Sequence, residues 1–378
     1  MNRPVNFGVI GVGGIGAAHA GFVAELEETR LVAVADSDAA KARSVARERN
    51  CRAFDDGYEL LDSGAIEAVI LATPHPLHVA LAHYAAARGI HVLCEKPLAA
   101  SVADADAMLE SCRENGVMLG TVFQQRTEPL RRTMKRLVSE LGELHRVSLS
   151  VCYYRPQSYY DSAEWRGTWR GEGGGILMQA AHALDQLIWL AGMPARVQTL
   201  TLTRLHQIET ENTAVSILDY GDGKAGWFYI STADTLEDER IEIAGDRGAL
   251  VWQAGQLRQL KVPVPMSKHL PGAPGMFEPL HGKWREVEID ADLKNQPPGH
   301  REIVRAFARA VRHNDAGLMF ASGEDGLASL ELANAMALSG KCGGAVELPL
   351  DRARYQAVLN ALCAGEGAAC ECEAGSIV

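Results

Sequence analysis

The sequence lacks the features that mark several large classes of protein. It has no run of 18 apolar residues and no signal peptide, because Arg3-Pro4 leads directly into the first apolar segment, so we expect no membrane partner. Its net charge is −11 and it has no basic stripe, so nucleic acid is not an expected partner. None of its eight cysteines forms a C-x-x-C pair. This pattern indicates reduced thiols in a cytoplasmic protein without a metal site.

The composition and the order of patterns predict two domains and a short tail. The 378 residues, 47% of them apolar, suffice for two hydrophobic cores. Residues 1–124 alternate apolar strands with helical segments, which predicts a doubly wound parallel sheet. Residues 125–365 contain longer strands with hairpin turns at 220–223 and 245–248. We therefore expect an α/β fold: a Rossmann domain, then an α+β domain with a large, mostly antiparallel open sheet. Residues 366–378 are predicted to be a flexible tail.

A glycine-rich turn near the N-terminus predicts a dinucleotide site. An apolar strand at residues 5–10 leads into the motif G-x-G-x-x-G, whose glycines are Gly11, Gly13 and Gly16. A helix-compatible stretch follows. The first glycine permits a tight turn, the second allows close approach of a pyrophosphate, and the third lets helix and strand pack closely. The helix N-terminus then faces the negative charge.

Asp36 indicates which dinucleotide this site prefers. It ends the next apolar run, twenty residues after Gly16, where a carboxylate can accept both ribose hydroxyls of NAD. The same carboxylate repels the 2′-phosphate of NADP, and no arginine follows at Ser37 or Asp38. NAD is therefore the expected cofactor and NADP the less favoured one, although Lys41 and Arg43 lie nearby.

Lys96 follows a later strand of the same domain, in the segment Cys94–Pro97. Ligands of such sheets bind outside the carboxyl ends of the strands. A lysine there can reach both the nicotinamide and a substrate hydroxyl, and a cis bond before Pro97 can fix the turn. Spacing alone equally allows a solvated lysine in a surface turn.

Taken together, these motifs resemble a known family. Four motifs occur in the family's order: the glycine fingerprint, residues 72–78 (ATPHPLH), Glu95-Lys96-Pro97, and a glycine run before His182-x-x-Asp185. A closing strand follows them near residue 347. The chain is similar over nearly its whole length to the glucose–fructose oxidoreductase/inositol dehydrogenase (Gfo/Idh/MocA) family. The resemblance implies oxidation or reduction of a secondary alcohol on a sugar, sugar acid, sugar nucleotide or cyclitol, and homodimers or homotetramers built through the C-terminal sheet.

The resemblance also assigns roles to individual residues. Lys96 becomes a catalytic or substrate-orienting residue, His182 the proton acceptor, and Asp185, one helical turn later, a catalytic partner. Without the resemblance, His182 on an apolar helix is more often a core histidine. The residues implied in cofactor binding, besides the three glycines and Asp36, are Gly14, Ile15, Thr73, Pro74, His78, Glu95 and Lys96.

One position departs from the family pattern. Many members have Asp or Asn four residues before the histidine, where this chain has Met178, followed by Gln179. Gln179 can form hydrogen bonds but cannot act as a base. Two alternatives therefore stand beside the dehydrogenase: a catalytically silent NAD-binding sensor or scaffold of the same fold, and an enzyme that retains its cofactor and performs elimination or hydrolysis through a transient ketone.

The segment 153–170 is dense in aromatic residues and arginine. Aromatic rings stack on sugars, and arginine binds carboxylate or phosphate. The alternative is a packed loop whose tryptophans are buried anchors. The candidate substrate-binding residues, including those on the adjoining helix and just past the last strand of the first domain, are Arg126, Tyr154, Trp165, Arg166, Gln179 and His182.

Overall fold

The computed structural model describes residues 3–273, 275–276 and 279–366. The chain divides into two compact units. The first combines the residues up to Glu128 with Pro297–Leu330, and the second combines Pro129–Gln296 with the described residues from Glu331 onward. Apart from Glu366, the predicted flexible tail lies outside the described residues.

The first unit contains a parallel sheet of six strands, as the alternating pattern predicts. The strands lie in the order β3-β2-β1-β4-β5-β6, and every neighbouring pair is parallel. All four residues of β4 are buried, as expected for a strand that is covered on both faces. The strands are β1 Val5–Ile10, β2 Thr29–Ala35, β3 Arg52–Phe54, β4 Ala68–Leu71, β5 His91–Cys94 and β6 Leu119–Thr121.

Five helices connect these strands, and short polar side chains begin three of them. Asp38 caps the second, Asp56 the third and Ser101 the fifth, each by accepting backbone N–H hydrogen bonds. The fourth begins at His78 because His75–Leu77 forms a separate 3₁₀ turn. The helices are α1 Gly14–Glu25, α2 Ala39–Arg49, α3 Gly57–Asp62, α4 His78–Ala86 and α5 Val102–Glu114.

Residues 297–330 belong to the first unit, whereas the sequence-based division put them in the second domain. Their main element is the helix α11, His300–His313. Its apolar side joins the core of the parallel sheet, where Phe307 meets Phe7 edge-to-face with ring centroids 6.3 Å apart. Burial of Ile303, Val304 and Phe307 explains why this helix packs with the N-terminal strands.

The second unit contains a mixed, mostly antiparallel sheet of nine strands. Their order is β14-β13-β12-β11-β7-β10-β9-β8-β15, and only the β7–β10 pair is parallel. Both predicted hairpin turns are confirmed, between β9 and β10 and between β11 and β12. The strands are β7 Leu144–Cys152, β8 Arg196–Leu202, β9 Thr213–Asp219, β10 Ala225–Ser231, β11 Asp238–Gly245, β12 Gly248–Gln253, β13 Gln256–Lys261, β14 Lys283–Glu286 and β15 Ala345–Glu347.

The remaining helices include α12, whose residues span the boundary between the two units at Leu330. Within the described residues, no helix has the length and apolar character that a membrane span requires. These helices are α6 Pro129–Val138, α7 Gln157–Tyr160, α8 Trp169–Glu172, α9 Gly175–Ala191, α10 Met266–His269, α12 Gly323–Cys342 and α13 Arg352–Cys363.

The cysteines are not all reduced thiols. Cys342 takes part in a disulfide, so the expectation of eight reduced thiols is wrong for this residue. The free thiols among the described residues are Cys51, Cys94, Cys112, Cys152 and Cys363. The cytoplasmic location, which was inferred from the cysteine pattern, stays a prediction.

Candidate active site

The glycine-rich loop joins β1 to α1, and its glycines are needed for different reasons. Gly11 has φ +84°, and a Cβ there would lie 2.7 Å from the carbonyl oxygen of Ala72. A Cβ on Gly16 would lie 1.8 Å from the carbonyl oxygen of Gly11. A Cβ on Gly13 or Gly14 would meet no atom within 4 Å. Two glycines are therefore required for folding, while the other two border open space.

The open side of this loop suits an anion. Helix α1 begins at Gly14, and no side chain caps its N-terminus. Its first backbone N–H groups and the helix dipole therefore favour a negatively charged group such as a pyrophosphate. Ile15, another predicted cofactor contact, is 39% exposed.

Asp36 follows the end of β2 and is tied to the glycine loop. Its Oδ2 accepts a hydrogen bond from the backbone N–H of Val12 at 2.8 Å, and its Oδ1 accepts one from Asp38 at 2.9 Å. These bonds fix the carboxylate at the carboxyl end of the sheet and leave lone pairs for further donors. Contact between Asp36 and a ribose stays a prediction.

Two buried polar atoms after β4 have no hydrogen-bond partner among the described residues. They are Thr73 Oγ1 and His75 Nε2. Native proteins seldom leave such atoms unsatisfied, so each indicates a missing polar group. They follow the strand end where ligands of this sheet type bind. Together with the open glycine loop, they fit a nicotinamide dinucleotide held at this edge.

His78 holds the neighbouring loops together. Its ring nitrogens lie 2.9 Å from the carbonyl oxygen of Thr73 and 3.1 Å from that of Pro97. Burial lowers the pKa of His78, so the ring is neutral and donates to one of these oxygens. The adjoining Pro74, like His78 a predicted cofactor residue, is exposed.

Glu95 and Lys96 follow β5. Glu95 Oε1 lies 2.8 Å from His19 Nε2 of helix α1, and Glu95 Oε2 accepts the backbone N–H of Lys96 at 3.3 Å. Burial raises the pKa of Glu95, but the His19 hydrogen bond and the charges of His19, Lys96 and His300 bring it below its ordinary value. Glu95 is thus an ionised, buried group that holds the backbone of Lys96.

Lys96 itself is half-buried, and the peptide bond that joins it to Pro97 is cis. His75, which lies in the motif at residues 72–78, is close to this turn, and so are His19 and His300, for which the sequence offered no signal. His19 and His300 lie far from Lys96 in the sequence. Each belongs to a helix whose apolar pattern accounts for it equally well as a core residue.

Arg126 lies in the first unit and is almost completely buried. Its guanidinium donates to Asp325 Oδ1 at 2.9 Å and to the carbonyl oxygen of Phe320 at 3.1 Å. These bonds use two of its donors within the protein. Its predicted role in substrate binding stays a prediction.

Helix α9 of the second unit carries the predicted base. A Cβ on Gly175 would lie 1.7 Å from the carbonyl oxygen of Glu211, and Oε1 of Glu211 accepts the backbone N–H of Ile176 at 2.9 Å. A buried acid therefore caps the helix. Burial raises the pKa of this acid. His182 is half-buried, and Asp185, one turn later, is 1% exposed.

Several predicted substrate residues gather around a tyrosine that the sequence analysis did not select. Tyr159 Oη accepts a hydrogen bond from Gln179 Nε2 at 3.1 Å. The guanidinium of Arg166 lies 4.3 Å from the Tyr159 ring centroid and 4.6 Å from that of Trp165. The density of aromatic residues in this segment was a signal for the cluster, but it did not distinguish its members.

Other aromatic residues of the segment serve mainly to anchor the loop, although the ring of Tyr160 also meets that of Tyr159 edge-to-face, with centroids 5.2 Å apart. Trp169 is buried, and its indole N–H donates to the carbonyl oxygen of Glu209 at 3.2 Å, so it is an anchor of the loop. Tyr160 is also buried and pairs with Thr232. Tyr154, a predicted substrate contact, is 63% exposed.

Comparison with known proteins identifies relatives of both units. Two family models match the chain: an oxidoreductase family with an NAD-binding Rossmann fold, over residues 5–123, and a GFO/IDH/MocA C-terminal domain, over residues 131–251. The chain is similar to D-xylose 1-dehydrogenase (NADP(+)) 2 of Haloferax volcanii, with 29% identity, 90% of this chain and 99% of the relative being covered. It is 28% identical to scyllo-inositol 2-dehydrogenase (NAD(+)) of Bacillus subtilis, over 93% of this chain and 99% of the relative.

A solved structure shows the same similarity. The WlbA dehydrogenase from Bordetella pertussis, in complex with NADH and UDP-GlcNAcA, matches with a TM-score of 0.78 and 28% identity. The match covers 92% of this chain and 100% of that chain.

Proposed function

Because the chain belongs to the Gfo/Idh/MocA family of NAD-binding oxidoreductases, we propose that it transfers a hydride between NAD and a secondary alcohol or ketone of a sugar-like substrate. Named relatives are NAD(P)-dependent dehydrogenases of sugars and cyclitols. This chain is likewise an NAD(P)-dependent oxidoreductase. The observation that carries the proposal is the open glycine loop at the uncapped N-terminus of α1, beside the carboxylate of Asp36.

The proposed mechanism divides the chemistry between cofactor and protein. When bound, the nicotinamide supplies the site that accepts or returns the hydride. Lys96 donates a hydrogen bond to the reacting oxygen and stabilises its developing charge. The backbone hydrogen bond to buried Glu95 supports this role because it fixes the turn that carries the lysine.

We assign the proton to His182. Its imidazole takes the hydroxyl proton in oxidation and returns it in reduction. Asp185, at i+3 on the same helix, orients the imidazole or the substrate. Met178 cannot supply the carboxylate or amide common at this position, and Gln179 offers the nearest amide in the chain.

We propose NAD as the preferred cofactor. The proposal rests on the Asp36 carboxylate, which would add like charge beside a 2′-phosphate, and on Ser37 and Asp38, which offer no cation to offset it. Calorimetry with both cofactors tests this preference. We expect NAD to bind about tenfold more tightly, which corresponds to about 1.4 kcal/mol. Equal affinities would show that Asp36 does not meet the ribose.

We also propose that the nine-stranded sheet pairs with a second copy of the chain. Four outward side chains form a patch of neighbours on three adjacent strands: Leu200 (60% exposed), Val215 (42%), Ile217 (61%) and Trp227 (43%). An exposed apolar patch of this kind is typical of an interface. Ile217→Asp should dissociate the oligomer in light scattering, whereas Leu318→Asp, at a similarly exposed position in the first unit, should not.

A substrate panel tests the proposed activity. Sugars, sugar acids, cyclitols and UDP-sugars are incubated with enzyme and NAD, and NADH absorbance is followed. We expect the wild type to turn over at least one compound. The Lys96→Ala variant should convert the same compound at no more than about 1% of the wild-type rate. Tight NAD binding without turnover would instead favour the silent scaffold, which the named dehydrogenase relatives do not favour.

A further inference from the structure

Arg155, Arg166 and Tyr159 form a group of hydrogen-bond donors in the second unit, which we call the donor cluster. The guanidinium carbons of Arg155 and Arg166 lie 5.2 Å and 4.3 Å from the centroid of the Tyr159 ring. The two cations can therefore be no further apart than the sum of these distances, which is within a Debye length at about 0.1 M salt (about 10 Å). Their mutual repulsion is unfavourable unless an anion offsets it.

Within the described residues, neither arginine forms an ion pair with a carboxylate. Arg155 Nε and Arg166 Nε are buried and have no hydrogen-bond partner there. Glu164, in the same segment, is exposed and forms no ion pair with either arginine within the described ranges. Arg155 does use Nη1, which donates to the carbonyl oxygen of Tyr154 at 3.0 Å.

The two arginines that are buried among the described residues, Arg131 and Arg126, both have acidic partners. Arg131 binds Glu239 through two hydrogen bonds, at 2.7 Å and 3.1 Å. Arg126 binds Asp325. Arg155 and Arg166 are half-buried, and withdrawing part of a guanidinium from water without such a partner is costly. The donor cluster therefore differs from Arg131 and Arg126.

Tyr159 adds a third donor. Its oxygen accepts the amide N–H of Gln179, which leaves the hydroxyl proton free to be donated. The cluster thus offers N–H and O–H groups and few acceptors, so its ligand must be negatively charged and rich in acceptors. Gln179 lies three residues before His182 on α9, so the cluster and the proposed base share one face of a helix.

We propose that the donor cluster binds an anionic group of the substrate, a carboxylate or a phosphate, so that the enzyme acts on acidic sugars or sugar nucleotides rather than neutral polyols. This inference rests on the proposed function, because it names the substrate class of the same site. Arginine forks match the two oxygens of either anion.

Binding to the NAD-saturated protein, measured by calorimetry, tests the inference without requiring turnover. Two matched pairs separate the sources of charge: glucuronate against glucose for a carboxylate, and UDP against uridine for a phosphate. We expect the acidic member of at least one pair to bind about tenfold to hundredfold more tightly, as for charge-assisted hydrogen bonds. Higher salt should reduce this preference.

Variants connect the preference to the cluster. Arg166→Gln and Arg155→Gln should each remove most of it, and Tyr159→Phe, which keeps the ring, should reduce it less. Arg170→Gln is the matched control, because Arg170 lies in the same segment but is exposed. Arg166→Lys keeps the charge and should retain part of the preference. Melting curves verify that each variant is folded.

Three results would overturn the inference: equal affinity within both pairs, no binding by either acidic member, or a preference that survives both glutamine variants. The proposed function fails differently. If neutral polyols are oxidised while the charge preference is absent, the oxidoreductase stands and the anionic substrate class falls. If acidic ligands bind through the cluster but no compound is ever oxidised, the cluster stands and the activity falls.

Discussion

Alanine substitutions at two glycines of the same loop should separate folding from cofactor binding. A Cβ on Gly16 would lie 1.8 Å from the backbone oxygen of Gly11, which cannot move without distorting the strand-to-helix turn. A Cβ on Gly13 would meet no protein atom within 4 Å, and φ at Gly13 is −65°, which alanine adopts freely. The two variants therefore make the same chemical change in opposite surroundings.

The expected magnitudes follow from this geometry. Gly16→Ala should destabilise the fold by about 1–3 kcal/mol or more, as overpacking does. Gly13→Ala should leave the stability unchanged or raise it by about 0.4–1 kcal/mol, because alanine restricts the unfolded chain. Yet its methyl group would occupy the space by which a pyrophosphate approaches. The loss of one charge-assisted hydrogen bond, about 1.5–3 kcal/mol, weakens NAD binding about tenfold to hundredfold.

Urea denaturation of the protein without cofactor measures the first effect, and calorimetry with NAD measures the second. Gly14→Ala serves as a second variant on the open side, because its Cβ also has no neighbour within 4 Å. The reasoning is refuted if Gly13→Ala binds NAD as tightly as the wild type while folding normally. It is equally refuted if Gly16→Ala is as stable as the wild type.

Three further predictions concern histidines and the catalytic lysine. Burial lowers the pKa of His75 to about 3, so below pH 6.5 the unfolded chain binds a proton that the folded protein does not, and the free energy of unfolding falls as pH falls. In urea denaturation, His75→Asn should reduce the loss of stability between pH 7 and pH 5 by about 2 kcal/mol. His313→Asn, at an exposed histidine, should leave that loss unchanged. Lys96→Ala should lower turnover about 10²-fold and leave NAD affinity nearly unchanged, as steady-state kinetics and calorimetry will show; unchanged turnover would reduce Lys96 to a surface turn residue. His182→Asn should lower the rate of alcohol oxidation about 10²–10⁴-fold and remove its rise with pH, and a rate within a few-fold of wild type would mean that another group carries the proton.

Local signals in the sequence predicted the local features of the fold. The glycine fingerprint can be recognised because Gly16 is constrained by Gly11, five residues before it, and Gly11 by Ala72, which follows the adjoining strand β4. The hairpin turns at 220–223 and 245–248 are equally local. For this reason the parallel sheet and the mostly antiparallel sheet could both be predicted from the sequence.

Contacts between distant residues could not be predicted in the same way. Helix α11 pairs Phe307 with Phe7, and its apolar face alone does not say which strands it covers. Helix α9 begins at Gly175, inside a glycine run, because Glu211 caps it from another segment. Glycine there looks like a loop signal when its long-range neighbour is unknown.

Prediction of the candidate site was limited in the same way, because residue types can be read from the sequence and long-range contacts cannot. Residue types selected Arg166, Trp165 and Gln179, but only the fold reveals that Tyr159 contacts two of them. Arg126 was selected for its position at the end of the first predicted domain, while its partner Asp325 lies almost two hundred residues away. The pair of His19 and Glu95 has no sequence signal, since its members lie on separate elements.

The most direct test of the proposed activity follows the transferred hydrogen itself. The best substrate of the panel is prepared with deuterium at the reacting carbon and incubated with enzyme and NAD, and the recovered cofactor is analysed by mass spectrometry. Hydride transfer predicts reduced cofactor that carries the deuterium, at a rate that Lys96→Ala and His182→Asn both lower. Reduced cofactor without deuterium, or no reduced cofactor with any compound of the panel, would contradict the account.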